Sequence, residues 1–172
     1  MLNEDQKYPS HKPLRLHDYD YSQAGCYFVT ICTQDRKPWF GQIVNAEMRL
    51  SVAGSMVQSV WTSLPERFPD LQLDLFVVMP NHLHGLLLLT QQMRERPEKK
   101  ALRPTVSRMV DLFKGAAASR IRATVARDFA WQRSFYDAIV RNPQMLEDIR
   151  HYIVNNPACW AEDTLHEGED LS

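Results

Sequence analysis

The segment that most constrains the fold is a long apolar run that is broken once. Pro80 and Asn81 interrupt it, and an uninterrupted apolar stretch follows. Proline and asparagine favour turns, so residues 71–79 and 83–89 are predicted to form two strands rather than one helix.

Two histidines stand where the second of these strands begins. Alternate residues of a strand point to the same face, so His82 and His84 should lie side by side while Leu83 faces the core. Imidazole is a common ligand of divalent transition metals. The pair therefore predicts half of a metal site at the entrance to the strand. The alternative is two half-buried histidines that are hydrogen-bonded to backbone carbonyls.

The composition indicates one soluble globular domain. The chain has 172 residues, of which 44% are hydrophobic and 24% charged, enough to build one core. No segment is apolar over the 20 or so residues of a membrane span, and the N-terminus lacks a signal-peptide pattern. Three cysteines without a close pair (Cys26, Cys32 and Cys159) are expected to be reduced thiols, which indicates a cytoplasmic protein.

The charge is unevenly distributed, although the formal net charge is only −1. Residues 94–133 contain eleven Lys or Arg against four acids, whereas residues 161–172 contain five acids and no Lys or Arg. A basic middle and an acidic tail predict a surface that binds a polyanion, which the tail could also screen.

Hydrophobic periodicity predicts the order strand, helix, strand, strand, helix, strand, helix. We therefore expect an α+β fold with a ferredoxin-like β-α-β-β-α-β antiparallel sheet. A hairpin within residues 39–51 is inserted after the first strand, and an additional C-terminal helix follows the last strand, predicted at 131–140. The predicted divisions are an N-terminal arm (1–24), the domain (25–157) and an acidic tail (158–172).

The last predicted helix, residues 142–156, contains a tyrosine and an asparagine on one face. Tyr152 and Asn156 are four residues apart, which places them one above the other. Asn156 could complete a metal site with His82 and His84, and Tyr152 could act as a nucleophile. The alternative for Tyr152 is a ring that packs on the core.

These residue types suit cleavage of a phosphodiester. A divalent ion with open coordination positions would draw charge from the phosphate, while the tyrosine oxygen displaces the 3′-oxygen of the preceding nucleotide. Mixed imidazole and amide ligands suit Mn²⁺ better than Mg²⁺.

The motifs resemble a known family. Residues 79–85 resemble the His-hydrophobic-His motif of the HUH single-tyrosine transposases, and residues 151–157 resemble their helix with the nucleophilic tyrosine and the third ligand. Segments 19–22, 27–33, 113–114 and 131–137 are similar to the REP-associated tyrosine transposases. The resemblance covers about residues 14–160. It implies metal-dependent nicking and joining of single-stranded hairpin DNA, typically repeated extragenic palindromes, through a 5′-phosphotyrosine.

The chain departs from that pattern at two positions. Ala138 stands where relatives often have a histidine, and Asn156 stands where the insertion-sequence transposases commonly have glutamine. Tyr136 is a second candidate nucleophile, although its neighbours Trp131 and Phe135 favour packing or base stacking instead.

We expect the partner to be single-stranded or hairpin DNA, with no membrane, in the bacterial cytoplasm at the nucleoid. A homodimer or a monomer is compatible with the resemblance. Two alternatives are a domesticated hairpin-binding protein without catalysis and a hydrolase that activates metal-bound water. The predicted DNA-binding residues are basic side chains of the arm, the second long helix and the following segment: Arg15, Arg108, Lys114, Arg122 and Arg133.

Overall fold

A computed structural model describes residues 23–90 and 105–166. The predicted N-terminal arm with Arg15, the basic residues 94–103 and the end of the acidic tail lie outside these ranges. Within them, no helix combines the length and apolar character that a membrane crossing requires.

The described chain forms strands and helices in the predicted order. They are β1 (Gly25–Cys32), β2 (Gly41–Val44), β3 (Glu47–Leu50), α1 (Val52–Thr62), the short α2 (Leu64–Arg67), β4 (Leu71–Val78), β5 (His82–Leu89), α3 (Val106–Thr124), β6 (Tyr136–Val140) and α4 (Pro143–Asn155).

The main sheet has the strand order β4-β5-β1-β6, and every neighbouring pair is antiparallel. Without the inserted hairpin, the four strands of the β-α-β-β-α-β series are β1, β4, β5 and β6 in chain order. Their order in the sheet is the ferredoxin-like order. Strands β2 and β3 form the separate inserted hairpin. The predicted fold class is confirmed, and the sheet has one face covered by α1 and α3 and the other by α4.

Side-chain caps fix where the three long helices begin. Ser51 accepts a hydrogen bond from the Gly54 amide at 3.1 Å, and Asn142 accepts one from the Met145 amide at 2.8 Å. Thr105 caps α3 in the same way. Each cap contributes roughly 1 kcal/mol. The cap at Asn142 sets the phase of α4 and therefore the direction of the tyrosine predicted on it.

The last strand is shorter than the predicted 131–140. Trp131 forms only an isolated bridge with Thr33, and regular pairing with β1 begins at Tyr136. In this segment the Lys114 ammonium donates to the carbonyls of Gln132 and Arg133 at 2.7 and 3.1 Å. These two carbonyls are thus bonded to α3, while the Gln132 amide still donates to the Cys32 carbonyl of β1 at 2.9 Å.

A glycine follows the two histidines because a tryptophan lies against the strand. A Cβ atom at Gly85 would lie 2.4 Å from Cζ2 of Trp61, which is fully buried on α1. That distance is well inside van der Waals contact. Only glycine lets α1 pack this closely on β5.

Candidate active site

The two histidines lie side by side on β5, as the strand period predicts. His82 pairs in register with Cys32 of β1 and His84 pairs with Thr30, and the two ring centroids are 4.4 Å apart. Leu83 belongs to the core on the opposite face. The pair lies where β5 begins, as predicted, and both imidazoles are 0% exposed.

The tyrosine of α4 reaches the second histidine. The hydroxyl of Tyr152 is 3.1 Å from Nε2 of His84. Phe28 holds both rings, stacking on His84 at 5.4 Å and meeting Tyr152 edge-on at 6.3 Å. On its other side, His84 Nδ1 shares a 2.8 Å hydrogen bond with the hydroxyl of Thr30. Packing and hydrogen bonds thus fix the imidazole in one orientation.

Asn156 follows directly after α4 and is buried at 3% exposure. Its amide nitrogen donates to Oδ2 of Asp163 at 3.2 Å. Within the described residues, no donor reaches its Oδ1, although that atom is buried. A buried carbonyl oxygen without a donor costs roughly 1–3 kcal/mol, so a ligand or ion at this atom would be stabilising.

Asp163 is a site residue that the sequence patterns did not predict. Its Oδ2 is 3.9 Å from Nε2 of His82, and its side chain is only 4% exposed. His82, His84 and Asp163 each offer one ligand atom, and these atoms all lie within 4.8 Å of one another. The sequence signal was weak because Asp163 belongs to no periodic element and stands in a run of acids.

The segment that carries Asp163 covers the histidines. We call residues 159–166 the C-terminal cover. Trp160 lies 5.9 Å from the His82 ring, and Leu165 is buried. Arg36 donates to the Thr164 carbonyl at 2.8 Å, and Asn81 donates to the Leu165 carbonyl at 2.7 Å. These contacts explain why the imidazoles are buried.

The residues present fit a divalent metal. Two imidazole nitrogens, the amide oxygen of Asn156 and the carboxylate of Asp163 are the donor types that Mn²⁺ accepts, and the imidazoles favour it over Mg²⁺. The unsatisfied Oδ1 of Asn156 supports the fit, because a cation would compensate the buried oxygen.

The predicted DNA-binding residues in the described ranges are dispersed. Arg108, Arg122 and Arg133 are exposed, although Arg122 also donates to the Phe129 carbonyl at 2.7 Å. Lys114 is half-buried, and this burial lowers the pKa of its ammonium. Arg133 lines an open groove of about 660 Å³ together with Arg36, which also bonds to the C-terminal cover.

The second tyrosine lies one strand further from the histidines. Tyr136 pairs in register with Thr30, which in turn pairs with His84. Its ring meets Phe28 edge-on at 6.4 Å, and burial together with Asp137 raises the pKa of its phenol. Ala138 lies on the same strand as Tyr136 and pairs with Phe28 of β1. A histidine at position 138 would thus lie beside the ring that stacks on His84.

Comparison with known proteins places the chain in a family. No family model matches it. An uncharacterized protein of Haemophilus influenzae is 33% identical over 166 residues, which cover 90% of this chain and 92% of the relative. The chain belongs to the same family as this Haemophilus protein. The match covers nearly the whole of each chain.

Two solved structures show which fold this family has. A REP-associated tyrosine transposase bound to a REP hairpin superposes with a TM-score of 0.53 over 90% of this chain and 91% of that chain, at 17% identity. A candidate transposase from Deinococcus radiodurans superposes with a TM-score of 0.50 over 80% and 93%, at 18% identity. The family shares the fold of the REP-associated tyrosine transposases, which confirms the predicted resemblance at the level of the fold.

Proposed function

We propose that the protein cleaves and rejoins single-stranded or hairpin DNA through a covalent 5′-phosphotyrosine at Tyr152. The observation that carries the proposal is the 3.1 Å contact between the Tyr152 hydroxyl and His84 Nε2, beside a buried group of metal-ligand side chains. The solved transposase with the same fold was bound to a REP hairpin, which supports DNA of this kind as the partner.

The proposed step exchanges one phosphoester for another. The Tyr152 oxygen attacks the scissile phosphorus, and the bond from phosphorus to the 3′-oxygen of the preceding nucleotide breaks. The phenol proton ends on that oxygen, which leaves as a 3′-hydroxyl. Because the new phosphotyrosine is close in energy to the original diester, a 3′-hydroxyl can reverse the attack and join a new strand.

His82, His84 and Asn156 are proposed to hold the metal, Mn²⁺ or Mg²⁺, and Asp163 is proposed as a further oxygen ligand. When bound, the ion would supply Lewis-acid stabilisation of charge on the phosphate. Phe28 and Thr30 orient His84 for this role through stacking and hydrogen bonding. The C-terminal cover excludes water from the imidazoles until DNA arrives.

The DNA path is proposed to follow the basic side chains. Arg133 and Arg36 line the groove beside the C-terminal cover, while Arg108 and Arg122 lie exposed on α3. Lys114 would act by holding the loop of Arg133 through its two carbonyl bonds. Arg15 is proposed as a phosphate contact from the arm. The contact between Tyr152 and His84 lies within one chain, so a monomer suffices for a complete site, with homodimers as an alternative arrangement. Access to chromosomal DNA implies the bacterial cytoplasm and nucleoid.

The test is a denaturing gel that detects protein attached to labelled hairpin DNA with Mn²⁺ or Mg²⁺. Wild type should form an adduct on the 5′ side of the break, and Tyr152→Phe and His82→Ala should form none. Tyr136→Phe is the matched control and should keep the adduct, since this second tyrosine lies one strand away. An adduct that survives in Tyr152→Phe would refute the assignment of the nucleophile.

A non-catalytic hairpin-binding protein is the second candidate. It is favoured by the complete burial of both imidazoles beneath the C-terminal cover and by Ala138. It predicts tight hairpin binding without an adduct and no change in Tyr152→Phe. The hydrolase alternative would instead release cleaved DNA without ever becoming attached to it.

A further inference from the structure

We propose that Asn81 is a positioning residue that sets which nitrogen of His82 carries the proton. Its amide lies beside the imidazole, with Oδ1 2.8 Å from His82 Nδ1. The inference rests on the proposed function for its purpose, which is to prepare His82 as a metal ligand. The hydrogen-bond geometry that supports it is independent of any DNA chemistry.

The orientation of the Asn81 amide follows from its other two contacts. Its second terminal atom lies 2.7 Å from the Leu165 carbonyl and 3.1 Å from the Arg36 carbonyl. A carbonyl oxygen only accepts hydrogen bonds, so the atom that faces both must be the NH₂ group. The remaining atom is the carbonyl oxygen Oδ1, and it faces His82.

The protonation of the imidazole then follows. An amide oxygen cannot donate, so His82 Nδ1 must carry the hydrogen in the 2.8 Å contact. In the neutral ring, the lone pair therefore belongs to Nε2, the nitrogen that points toward Asp163. Nε2 is thus the ligand atom, and the tautomer suited to metal binding exists before any ion arrives.

The arrangement also connects the C-terminal cover to the histidine. Asn81 is 1% exposed, and one of its two donor bonds goes to Leu165 within the cover. The other goes to Arg36, which itself holds the Thr164 carbonyl. The cover thereby helps to orient the amide that fixes His82, although it is far away in sequence.

The direct test is nitrogen NMR of the histidine side chains in the metal-free and DNA-free protein. With ¹⁵N-labelled histidine, the His82 signals, assigned by their loss in His82→Ala, should show a protonated Nδ1 and an unprotonated Nε2. A wild-type spectrum with the proton on Nε2 would overturn the inference outright, whatever the variants do.

Variants separate the positioning role from a general effect on folding. Asn81→Leu removes the acceptor and should move the proton toward Nε2, raising the Mn²⁺ dissociation constant about 10- to 100-fold. Asn81→Asp keeps an acceptor oxygen and should keep the proton on Nδ1. The matched control is Tyr27→Phe, because Tyr27 is equally buried and donates to the Gln23 carbonyl at 2.8 Å, and it belongs to the core on the face of the sheet opposite the histidines. It should leave the spectrum of His82 and the Mn²⁺ affinity unchanged.

The outcomes also separate this inference from the proposed function. An Asn81→Leu protein with an unchanged His82 tautomer and unchanged Mn²⁺ affinity would overturn the inference. A wild type with the expected tautomer that binds no Mn²⁺ would support the positioning role and contradict the proposed metal chemistry. Loss of the adduct alone would concern only the DNA reaction.

Discussion

The hydroxyl of Tyr152 and Nε2 of His84 are 3.1 Å apart, and we propose this nitrogen as the atom of His84 that binds the metal. One nitrogen has one lone pair. An ion at this nitrogen would displace the hydroxyl from His84 and so break this contact of the proposed nucleophile. The proposed nucleophile and the proposed metal site would therefore be coupled through a shared atom.

Replacement of Tyr152 by phenylalanine should strengthen metal binding while it abolishes the DNA adduct. The variant removes a hydrogen bond of about 0.5–1.5 kcal/mol that competes with the ion for His84. We expect the Mn²⁺ dissociation constant to fall by about 2- to 10-fold in an electron paramagnetic resonance titration. Tyr136→Phe should leave the constant unchanged. Weaker binding in Tyr152→Phe would contradict the competition.

Two inactive variants should fail to rescue one another. Because Tyr152 contacts the histidine of its own chain, a mixture of Tyr152→Phe and His82→Ala chains contains no complete site. We expect no adduct from the mixture after joint refolding, even at high protein concentration. Adduct formation at a fraction of the wild-type level would show instead that two chains share their sites.

The carboxylate of Asp163 should contribute to metal affinity directly. Asp163→Asn keeps the side-chain shape but removes a negative charge, so we expect the Mn²⁺ dissociation constant to rise about 10-fold or more. The control is Glu162→Gln, which removes the same charge from an exposed neighbour. If both variants weaken binding equally, the effect is only a general change of charge.

An ion pair should set how well α4 presents its tyrosine. Arg150 precedes Tyr152 by two residues on α4. It donates to Oδ2 of Asp74 on β4 at 2.6 and 3.1 Å. Arg150→Met should slow adduct formation several-fold while the melting temperature and metal affinity change little, because the pair is partly exposed to solvent. Arg49→Met disrupts the exposed pair with Glu47 and should change nothing. Equal slowing of adduct formation in both variants would contradict a positioning role for the ion pair of Arg150 and Asp74.

Thiol reactivity should distinguish the three cysteines. Burial raises the pKa of Cys26 and of Cys32 to about 11, assisted by Asp74 at Cys26. A raised thiol pKa leaves only about one thiolate in a thousand at pH 8, and the fraction grows as pH rises toward 11. Iodoacetamide should therefore modify the exposed Cys159 first, as read by mass spectrometry of peptides. Fast labelling of Cys32 at pH 8 would contradict this burial.

Local periodicity explains what the sequence could predict. A strand places alternate residues on one face and a helix aligns residues four apart, so the histidine pair and the ridge of Tyr152 and Asn156 could be read directly. The helix caps also carry a local signal. Asp163 could not be found in this way, because its position depends on how an irregular segment folds back over β5. Asn81 and Arg36 hold that segment by donating to the carbonyls of Leu165 and Thr164.

The shortened last strand has a similar explanation. Residues 131–135 have the composition of a strand, but Lys114 of α3 bonds to the carbonyls of two of them, Gln132 and Arg133. The charge of Lys114 predicted that its side chain faces solvent. Nothing in the local sequence indicates that its ammonium donates to backbone carbonyls of residues 132 and 133. Contacts between distant segments decided both cases.

The close approach of Trp61 to Gly85 shows that side-chain packing requires the glycine of the histidine motif. The glycine leaves space for the Trp61 indole on the side of the sheet opposite the histidines. The two positions should consequently vary together among relatives, a larger residue after the second histidine accompanying a smaller one at position 61. A sequence search that treats this glycine as obligatory will therefore miss homologues with intact histidines and a differently packed helix.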